Sequence, residues 1–339
     1  MTRPLLALTQ GDPAGIGPEI LLKLVAPGPP EDWQPLLIAE RAALEALRPS
    51  LPGFPWDRLR FLASPPDLAT IEPMSEIPVI DPVGEERTIS LGMSGPADAA
   101  GAMAALDKGI ELVRSGAAGA LVTAPVSKES IARQLLPGFK GHTDYLAEAC
   151  GLERYGRDYL MAFLAPELQV ALLSVHMPLR EALDEIRNDT LAEALDCLHR
   201  HAGGRIALAG LNPHAGEGGL LGEEDGRILA PAVAAARARG LDVHGPESAD
   251  SLFARARKGE FDWVLALYHD QGLIAVKTSS FGLATNWTLG LPFLRTSVDH
   301  GTAFALAGRG AADEGPLKAV VECTLKLIAR ELPRGSSPP

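Results

Sequence analysis

Short apolar runs alternate along the chain with segments whose apolar residues recur at helical spacing. Runs of this length are typical of buried strands in a parallel or mixed sheet, and the alternation predicts a layered α/β/α fold. The predicted strands are Leu5–Thr9, Pro35–Ala39, Gly119–Thr123, Gln169–Val175, Ile206–Leu211 and Trp263–Leu267. The predicted helices are Pro18–Val25, Pro96–Arg114, Thr143–Cys150, Thr190–Arg200, Glu223–Arg239 and Leu317–Glu331.

Proline-rich stretches predict loops at 26–35, 49–55 and 64–82 and a frayed tail at 333–339. At 339 residues the chain is long enough to divide its core between two lobes. We place a boundary near Thr123–Lys128 and expect the chain to return to the first lobe late in the sequence. The first lobe is then residues 1–125 and 300–339, and the second is residues 126–299.

Three histidines each follow an apolar run: His176 after Val170–Val175, His214 after Ile206–Pro213, and His269 after Trp263–Tyr268. Each therefore lies at the carboxyl end of a predicted strand, which is the edge where open α/β sheets bind ligands. Three neutral imidazoles with room for a substrate oxygen are typical of a divalent metal site.

A single histidine is more often structural than a ligand, and the three contexts differ. Glycines beside His214 and His269 let the backbone approach a ligand closely, whereas His176 lacks such neighbours. The remaining histidines of polar segments, His199, His201 and His244, are predicted to be surface residues, the last of them in a loop.

Two segments have groups suited to an anion. Gly141–Asp144 precedes a predicted helix, so its backbone donors and the Thr143 hydroxyl suit an anion, although a plain N-cap explains the fragment equally well. Lys277, Asn286 and Arg295 flank a stretch rich in glycine and proline, where a lysine and an arginine can clamp a phosphate or carboxylate. A direct contact between Asp299 and His300 requires a turn, because neighbouring residues of a strand point to opposite faces.

Composition excludes several classes of protein. The net charge of −12 argues against nucleic acid or an anionic membrane as the main partner. The three cysteines are distant from one another, which indicates neither a disulfide framework nor a cysteine metal site and fits a reducing cytoplasm. No signal sequence or membrane-spanning run is found. The turn after the first strand lacks the G-x-G-x-x-G spacing, so these residues alone do not predict a nicotinamide cofactor.

Five segments, taken in order, resemble the 4-hydroxythreonine-4-phosphate dehydrogenase family of vitamin B6 biosynthesis. They span the chain from about the first strand to the last helix, and they are Gly11-Asp12-Pro13-Ala14-Gly15-Ile16-Gly17-Pro18-Glu19, Gly141-His142-Thr143, Asn212-Pro213-His214-Ala215-Gly216-Glu217, Tyr268-His269-Asp270-Gln271-Gly272 and Arg295-Thr296-Ser297-Val298-Asp299-His300-Gly301-Thr302.

The resemblance implies a homodimer with an isocitrate/isopropylmalate dehydrogenase-like fold, two lobes and an active-site cleft, with residues of both subunits at the active site. It implies oxidation of 4-phosphooxy-L-threonine by NAD or NADP, aided by Zn²⁺, Mg²⁺ or Co²⁺, followed by decarboxylation to 3-amino-2-oxopropyl phosphate. The positions that match the family's metal ligands are His176, His214 and His269. Those that match its substrate-binding residues are His142, Thr143, Lys277, Asn286 and Arg295. Asp250, Asp270 and His300 are candidate proton carriers, and nothing in the sequence chooses among them.

Alternatives remain at this point. Dehydrogenases of D-threonate and D-erythronate 4-phosphates share nearly all these motifs, and Thr285-Asn286-Trp287-Thr288 differs from the family's usual Val-Asn-Val-Thr. His176-Met177-Pro178-Leu179 favours the vitamin B6 branch. From other classes, a metallohydrolase uses three histidines to activate water, and a non-catalytic protein binds metal or phosphate without turnover.

Overall fold

The structure is a computed structural model that describes residues 3–28, 30–63, 75–280 and 282–331. These residues divide into two compact units. Unit 1 contains the described residues up to Leu146 together with Pro292–Ile328, and unit 2 contains Ala147–Leu291 and the few described residues after Ile328. Within these ranges, no helix has the length and apolar character needed to cross a membrane.

The secondary structure alternates between strands and helices along most of the chain. The strands are β1 Leu5–Thr9, β2 Gln34–Ile38, β3 Leu59–Leu62, β4 Ile77–Ile80, β5 Ala120–Thr123, β6 Leu160–Ala165, β7 Leu168–Leu172, β8 Ile206–Ala209, β9 Val243–Glu247, β10 Trp263–Ala266, β11 Thr285–Leu289 and β12 Arg295–Ser297. The α-helices are α1 Gly17–Val25, α2 Arg41–Glu45, α3 Pro96–Arg114, α4 Lys128–Gln134, α5 His142–Ala149, α6 Leu179–Asp184, α7 Asn188–Ala202, α8 Ala230–Ala238, α9 Ala249–Arg257, α10 His269–Ser280 and α11 Gly315–Ile328.

Unit 1 has a parallel sheet with the strand order β3-β4-β2-β1-β5-β12. Leu6 and Leu8 of β1 join the apolar core beneath α1 and α11. Thr9 points to the other face, where its methyl group lies against Gly109 of α3. Because side chains alternate along a strand, helices cover both faces of this sheet.

Unit 2 has a mixed sheet with the strand order β11-β6-β7-β10-β8-β9. The pairs β11–β6 and β6–β7 are antiparallel, whereas β7, β10, β8 and β9 run parallel to one another. Helices α9 and α10 pack on one apolar face, and α7 packs on β6 and β11. The predicted α/β/α fold is confirmed.

The predicted strand Leu5–Thr9 and helix Pro96–Arg114 are confirmed with unchanged bounds. The predicted helix at 223–239 is a π-helical turn, Asp225–Leu229, followed by α8. The placement of His244 in a loop is wrong, since it lies on β9, where a proline interrupts the apolar pattern. The predicted loop at 64–82 contains β4, and its residues 64–74, like the tail at 333–339, lie outside the described residues.

The boundaries between the two units lie at different positions from the predicted ones, which are 125/126 and 299/300. Helix α4 and the start of α5 belong to unit 1, and the Tyr145 hydroxyl donates to Asp107 of α3 at 2.6 Å. The return begins at Pro292 because β12 pairs with β5 of the unit 1 sheet. Contacts between elements set these limits, and an apolar pattern does not reveal them.

Candidate active site

Three strand ends carry the predicted metal ligands. Strands β7, β10 and β8 are parallel neighbours, so their carboxyl ends lie at one edge of the unit 2 sheet. The Ser174 hydroxyl donates to the carbonyl oxygen of Leu267 at 2.9 Å, linking the ends of β7 and β10. Gln271 links β10 to β8, since its amide nitrogen donates to Gly210 O at 2.8 Å and its oxygen accepts from Leu267 N at 2.7 Å. The histidine-bearing segments are therefore held together by direct hydrogen bonds.

Two of the histidines lie side by side. The ring centroids of His176 and His269 are 5.4 Å apart. Both line an open depression of ≈ 370 Å³ in unit 2. The Nδ1 atom of His269 lies 2.7 Å from an Asp270 carboxylate oxygen, which accepts hydrogen bonds only. This contact fixes the proton on Nδ1 and leaves the Nε2 lone pair of His269 for a ligand.

His214 lies on an unusual backbone segment, Pro213–Gly219. The residues from His214 to Gly218 all have positive φ, including the non-glycine residues His214, Ala215 and Glu217. The buried carboxylate of Asp225 anchors this segment by accepting from the backbone nitrogens of Leu211 at 2.8 Å and Asn212 at 3.0 Å. The segment packs against α9.

Asp250, on the first turn of α9, lies near His214. The Ser248 hydroxyl donates to Asp250 at 2.7 Å and contributes most to a pKa below the ordinary value for that carboxyl, and the nearby His214 adds a smaller electrostatic effect. The structure therefore places His176 beside His269, and His214 beside Asp250. Among the described residues, no group of three histidine, cysteine or acidic side chains forms a metal cluster, and the three-histidine site stays a prediction.

The predicted anion ligands His142, Thr143 and Arg295 all belong to unit 1. Arg295 is 1% exposed, and its guanidinium donates to the Thr123 hydroxyl at 2.6 Å. Burial lowers the pKa of Arg295 to about 9, so the group remains mostly protonated at pH 7. His142 begins α5, followed by the buried Thr143.

The imidazole of His142 is neutral at pH 7. Burial, with smaller effects from the charges of Arg295 and Lys128, lowers the pKa of His142 well below its ordinary value of 6.5. Its Nε2 atom is buried and has no hydrogen-bond partner among the described residues. A buried polar atom without a partner is rare in folded proteins, and here the charges of two cations, Arg295 and Lys128, act on the ring that carries it. This arrangement can accept an anion.

The other predicted residues lie elsewhere. Asn286 is on β11, where its buried Oδ1 has no hydrogen-bond partner in the described part of the chain. Lys277 is exposed on α10, two turns after Asp270 and on the same helical face. The Nδ1 atom of His300 lies 3.0 Å from Gly301 O, a local contact in unit 1. Trp287 packs against Trp263 with 6.2 Å between ring centroids, on the strand face opposite to Asn286.

The glycine-rich turn after β1 is a tightly packed structural element. A Cβ at Gly17 would lie 1.9 Å from Gln10 O, so only glycine fits there. The Asp12 carboxylate is buried and accepts from Ala14 N at 3.0 Å and from the Ser94 hydroxyl at 2.7 Å. Burial is the main cause of a raised pKa at Asp12. The sequence correctly predicts a strand-to-helix turn at this position.

Two residues that interact with Arg295 or His142 in unit 1 are not among the predicted site residues. Thr123 ends β5 and accepts the Arg295 hydrogen bond, and Lys128 begins α4 close to His142. The sequence signal for both is a threonine and a lysine directly after a buried strand. Their convergence with Arg295 depends on the pairing of β5 with β12, which the sequence does not predict.

Comparison with known proteins identifies the family. The family described as "Pyridoxal phosphate biosynthetic protein PdxA" matches residues 32–324. The 4-hydroxythreonine-4-phosphate dehydrogenase of Acidithiobacillus ferrooxidans is 40% identical, with 97% of each chain covered. That of Aromatoleum aromaticum is 40% identical, with 96% of this chain and 97% of the relative covered. A crystal structure of the Klebsiella pneumoniae enzyme of that name superposes with a TM-score of 0.84, at 35% identity, over 96% of this chain and 99% of the other. The chain belongs to the pyridoxal phosphate biosynthetic protein PdxA family.

Proposed function

We propose that the chain is a 4-hydroxythreonine-4-phosphate dehydrogenase that oxidises the C3 hydroxyl of 4-phosphooxy-L-threonine with NAD. The observation that carries this proposal is the 40% sequence identity, over nearly the whole chain, to proteins of that name. The oxidation removes a hydride from C3 and the proton of its hydroxyl, and NAD would serve as the hydride acceptor. The product, 2-amino-3-oxo-4-phosphooxybutanoate, then releases carbon dioxide to give 3-amino-2-oxopropyl phosphate. This is a step of pyridoxal 5′-phosphate synthesis.

The phosphate is assigned to unit 1. Arg295 offers a guanidinium fork already oriented by Thr123, and His142 offers a buried nitrogen without a partner. Phosphate oxygens are well matched to such charge-assisted donors. Thr143 adds a hydroxyl at the start of α5, where backbone N–H groups also favour an anion.

Asn286 and Lys277 are the other proposed substrate ligands. The unpartnered Oδ1 of Asn286 suits the substrate's ammonium or hydroxyl group, both of which are donors. Lys277 keeps its predicted role as a substrate ligand, because an exposed ammonium on α10 suits a carboxylate.

His176, His269 and His214 are the proposed ligands of a divalent metal, which would act as a Lewis acid toward the reacting oxygen. The first two fit this role, since their rings are adjacent and Asp270 orients His269. A second copy of the chain would supply the remaining ligands, in keeping with a site shared by two subunits.

A homodimer is supported by the surface around these two histidines. Leu179 is 55% exposed and Leu183 is 44% exposed on α6, and Ile274 of α10 is 64% exposed. Leu179 lines the depression, and exposed aliphatic side chains on the two helices that begin at it favour burial by a partner. Light scattering should give twice the mass of the chain. A fully active monomer would contradict this assignment.

The proton acceptor is the least constrained role, and the contacts favour His300 among the three candidates. Asp270 already binds His269, and the lowered pKa of Asp250 makes that carboxylate a weak base. In His300 the contact with Gly301 O places the proton on Nδ1 and leaves Nε2 available to accept a proton.

The decisive experiment is spectrophotometric. Purified protein is mixed with 4-phosphooxy-L-threonine, a divalent metal and NAD or NADP, and the absorbance of the reduced nicotinamide is followed. Parallel reactions contain the 4-phosphates of D-threonate and D-erythronate. Preferred turnover of the threonine derivative with NAD supports the proposal. Preferred turnover of a sugar-acid phosphate, or phosphate release without nicotinamide reduction, would replace it.

A further inference from the structure

Lys128 is a second cation near His142 in unit 1, besides Arg295. Lys128 begins α4, and its Nζ lies 3.2 Å from the position that a Cβ on Gly141 would occupy. Gly141 directly precedes His142 and has a φ of +142°, so the lysine ammonium lies over the backbone that introduces α5. A side chain at position 141 would displace the lysine.

Hydrogen bonds hold the start of helix α4 in place. The Ser127 hydroxyl caps the helix by accepting from Ser130 N at 3.1 Å. The Ser130 hydroxyl lies 2.8 Å from that of Ser94, which in turn donates to the buried Asp12 carboxylate. The backbone of Lys128 is thereby held in place, while its side chain extends to solvent.

Helix α4 has no carboxylate at the positions where one would pair with the Lys128 ammonium. Ile131 and Ala132 occupy the positions three and four residues after Lys128, where an intrahelical ion pair would form. The neighbouring Glu129 is paired with Arg133 at 2.9 Å. Both charges that act on the His142 imidazole, those of Arg295 and Lys128, are positive. On a chain with a net charge of −12, this local excess of positive charge is suited to an anion.

We propose that Lys128 is a further phosphate-binding residue, acting with Arg295 and His142 on the phosphate monoester of the substrate. The inference rests on the proposed function. A phosphate dianion has three terminal oxygens and more charge than a carboxylate, so it benefits most from several converging donors.

The first test measures binding without turnover. Inorganic phosphate is titrated calorimetrically into wild type, Lys128→Met, Lys128→Arg and the control Lys140→Met, which removes an exposed lysine nearby. We expect about tenfold weaker binding for Lys128→Met, the size of one charge-assisted hydrogen bond at an exposed position. Lys128→Arg should stay within about threefold of wild type, and Lys140→Met should match it. Lys128→Gln provides a second neutral variant.

Acetate, titrated in parallel, should bind Lys128→Met and wild type equally well. If Lys128→Met loses affinity only for acetate, Lys128 binds the substrate carboxylate and the proposal is overturned. With substrate, KM should rise about tenfold while kcat changes less than twofold. Equal phosphate affinity in wild type and Lys128→Met, or no phosphate binding by wild type, also overturns it. The proposed function is judged separately, by nicotinamide reduction in wild type.

Discussion

Replacing Arg295 with methionine should stabilise the ligand-free protein while abolishing its response to phosphate. Burial displaces the pKa of Arg295 to about 9. Each pKa unit corresponds to about 1.4 kcal/mol, so burial of the guanidinium costs roughly 5 kcal/mol of folding free energy. Methionine removes that cost and fills much of the same volume. The variant also loses the charged hydrogen bond to Thr123, which contributes about 2 kcal/mol. The net expectation is a gain of about 3 kcal/mol.

Phosphate should reverse the order of stability. A ligand that binds only the folded state at a thousand times its Kd stabilises it by about 4.1 kcal/mol, and this stabilisation is lost when the binding residue is removed. The assay is thermal unfolding of both proteins in phosphate-free buffer and in phosphate at about a thousand times its Kd. A gain of about 3 kcal/mol corresponds to a rise of roughly 6 to 12 °C in Tm.

The matched control is Thr123→Val, which keeps the charge but removes its hydroxyl acceptor, and it should lower Tm in both buffers. An Arg295→Met protein that is less stable than wild type without phosphate, yet shifts by the same amount with it, would refute the reasoning. Arg295 would then be a structural residue whose burial is already compensated by the fold.

Three further predictions address the remaining groups. The folded pKa of His142 lies below the unfolded value, so between that pKa and pH 6.5 the unfolded chain binds the extra proton and stability falls as pH falls. His142→Asn should remove up to about 1.4 kcal/mol per pH unit of this loss. If urea unfolding between pH 5 and 7 gives the same dependence of the unfolding free energy on pH in the variant and in wild type, His142 is not the group responsible. Asp270→Asn should weaken divalent-metal binding about 10- to 100-fold by calorimetry, with the exposed Asp184→Asn as control. Glu40→Gln should cost about 3 kcal/mol or more in unit 1, because Glu40 is 1% exposed and pairs with Arg87 at 2.6 Å. Its control, Glu45→Gln at an exposed pair with Arg48, should cost under about 1 kcal/mol by the same urea unfolding.

The sequence predicts several elements whose apolar pattern is long or uninterrupted, but it misses β6, although all six of its residues are apolar and buried. Strand β1 and helix α3 are examples of the predicted elements, since burial of one continuous face determines both. It does not predict β4 or β9, which contain Pro78 and Pro246. Helix α10 is also missed, because it begins only two residues after β10 and its first turn, His269-Asp270-Gln271-Gly272, has no apolar residue.

For the candidate site, the sequence predicts that the histidines follow strand ends, but it does not predict which side chains lie together. The histidines do follow adjacent strand ends, because parallel strands β7, β10 and β8 bring these ends to one edge. The sequence does not identify Thr123 and Lys128 as site residues. Their proximity to the site depends on the pairing of β5 with a three-residue strand that begins at Arg295. Short strands of polar residues have no pattern that distinguishes them from loops.

The backbone around His214 is the strongest structural argument that this residue has a function. Left-handed conformations at His214, Ala215 and Glu217 each cost roughly 1 to 2 kcal/mol relative to the right-handed region. The Asp225 carboxylate offsets that cost by accepting two backbone hydrogen bonds at the start of the segment. Strain of this kind persists only where surrounding contacts enforce it, and it concentrates at functional sites. If His214 merely capped a strand, an ordinary loop would place it at lower cost. This is why His214 remains in the proposed metal-binding set although its ring is not grouped with those of His176 and His269.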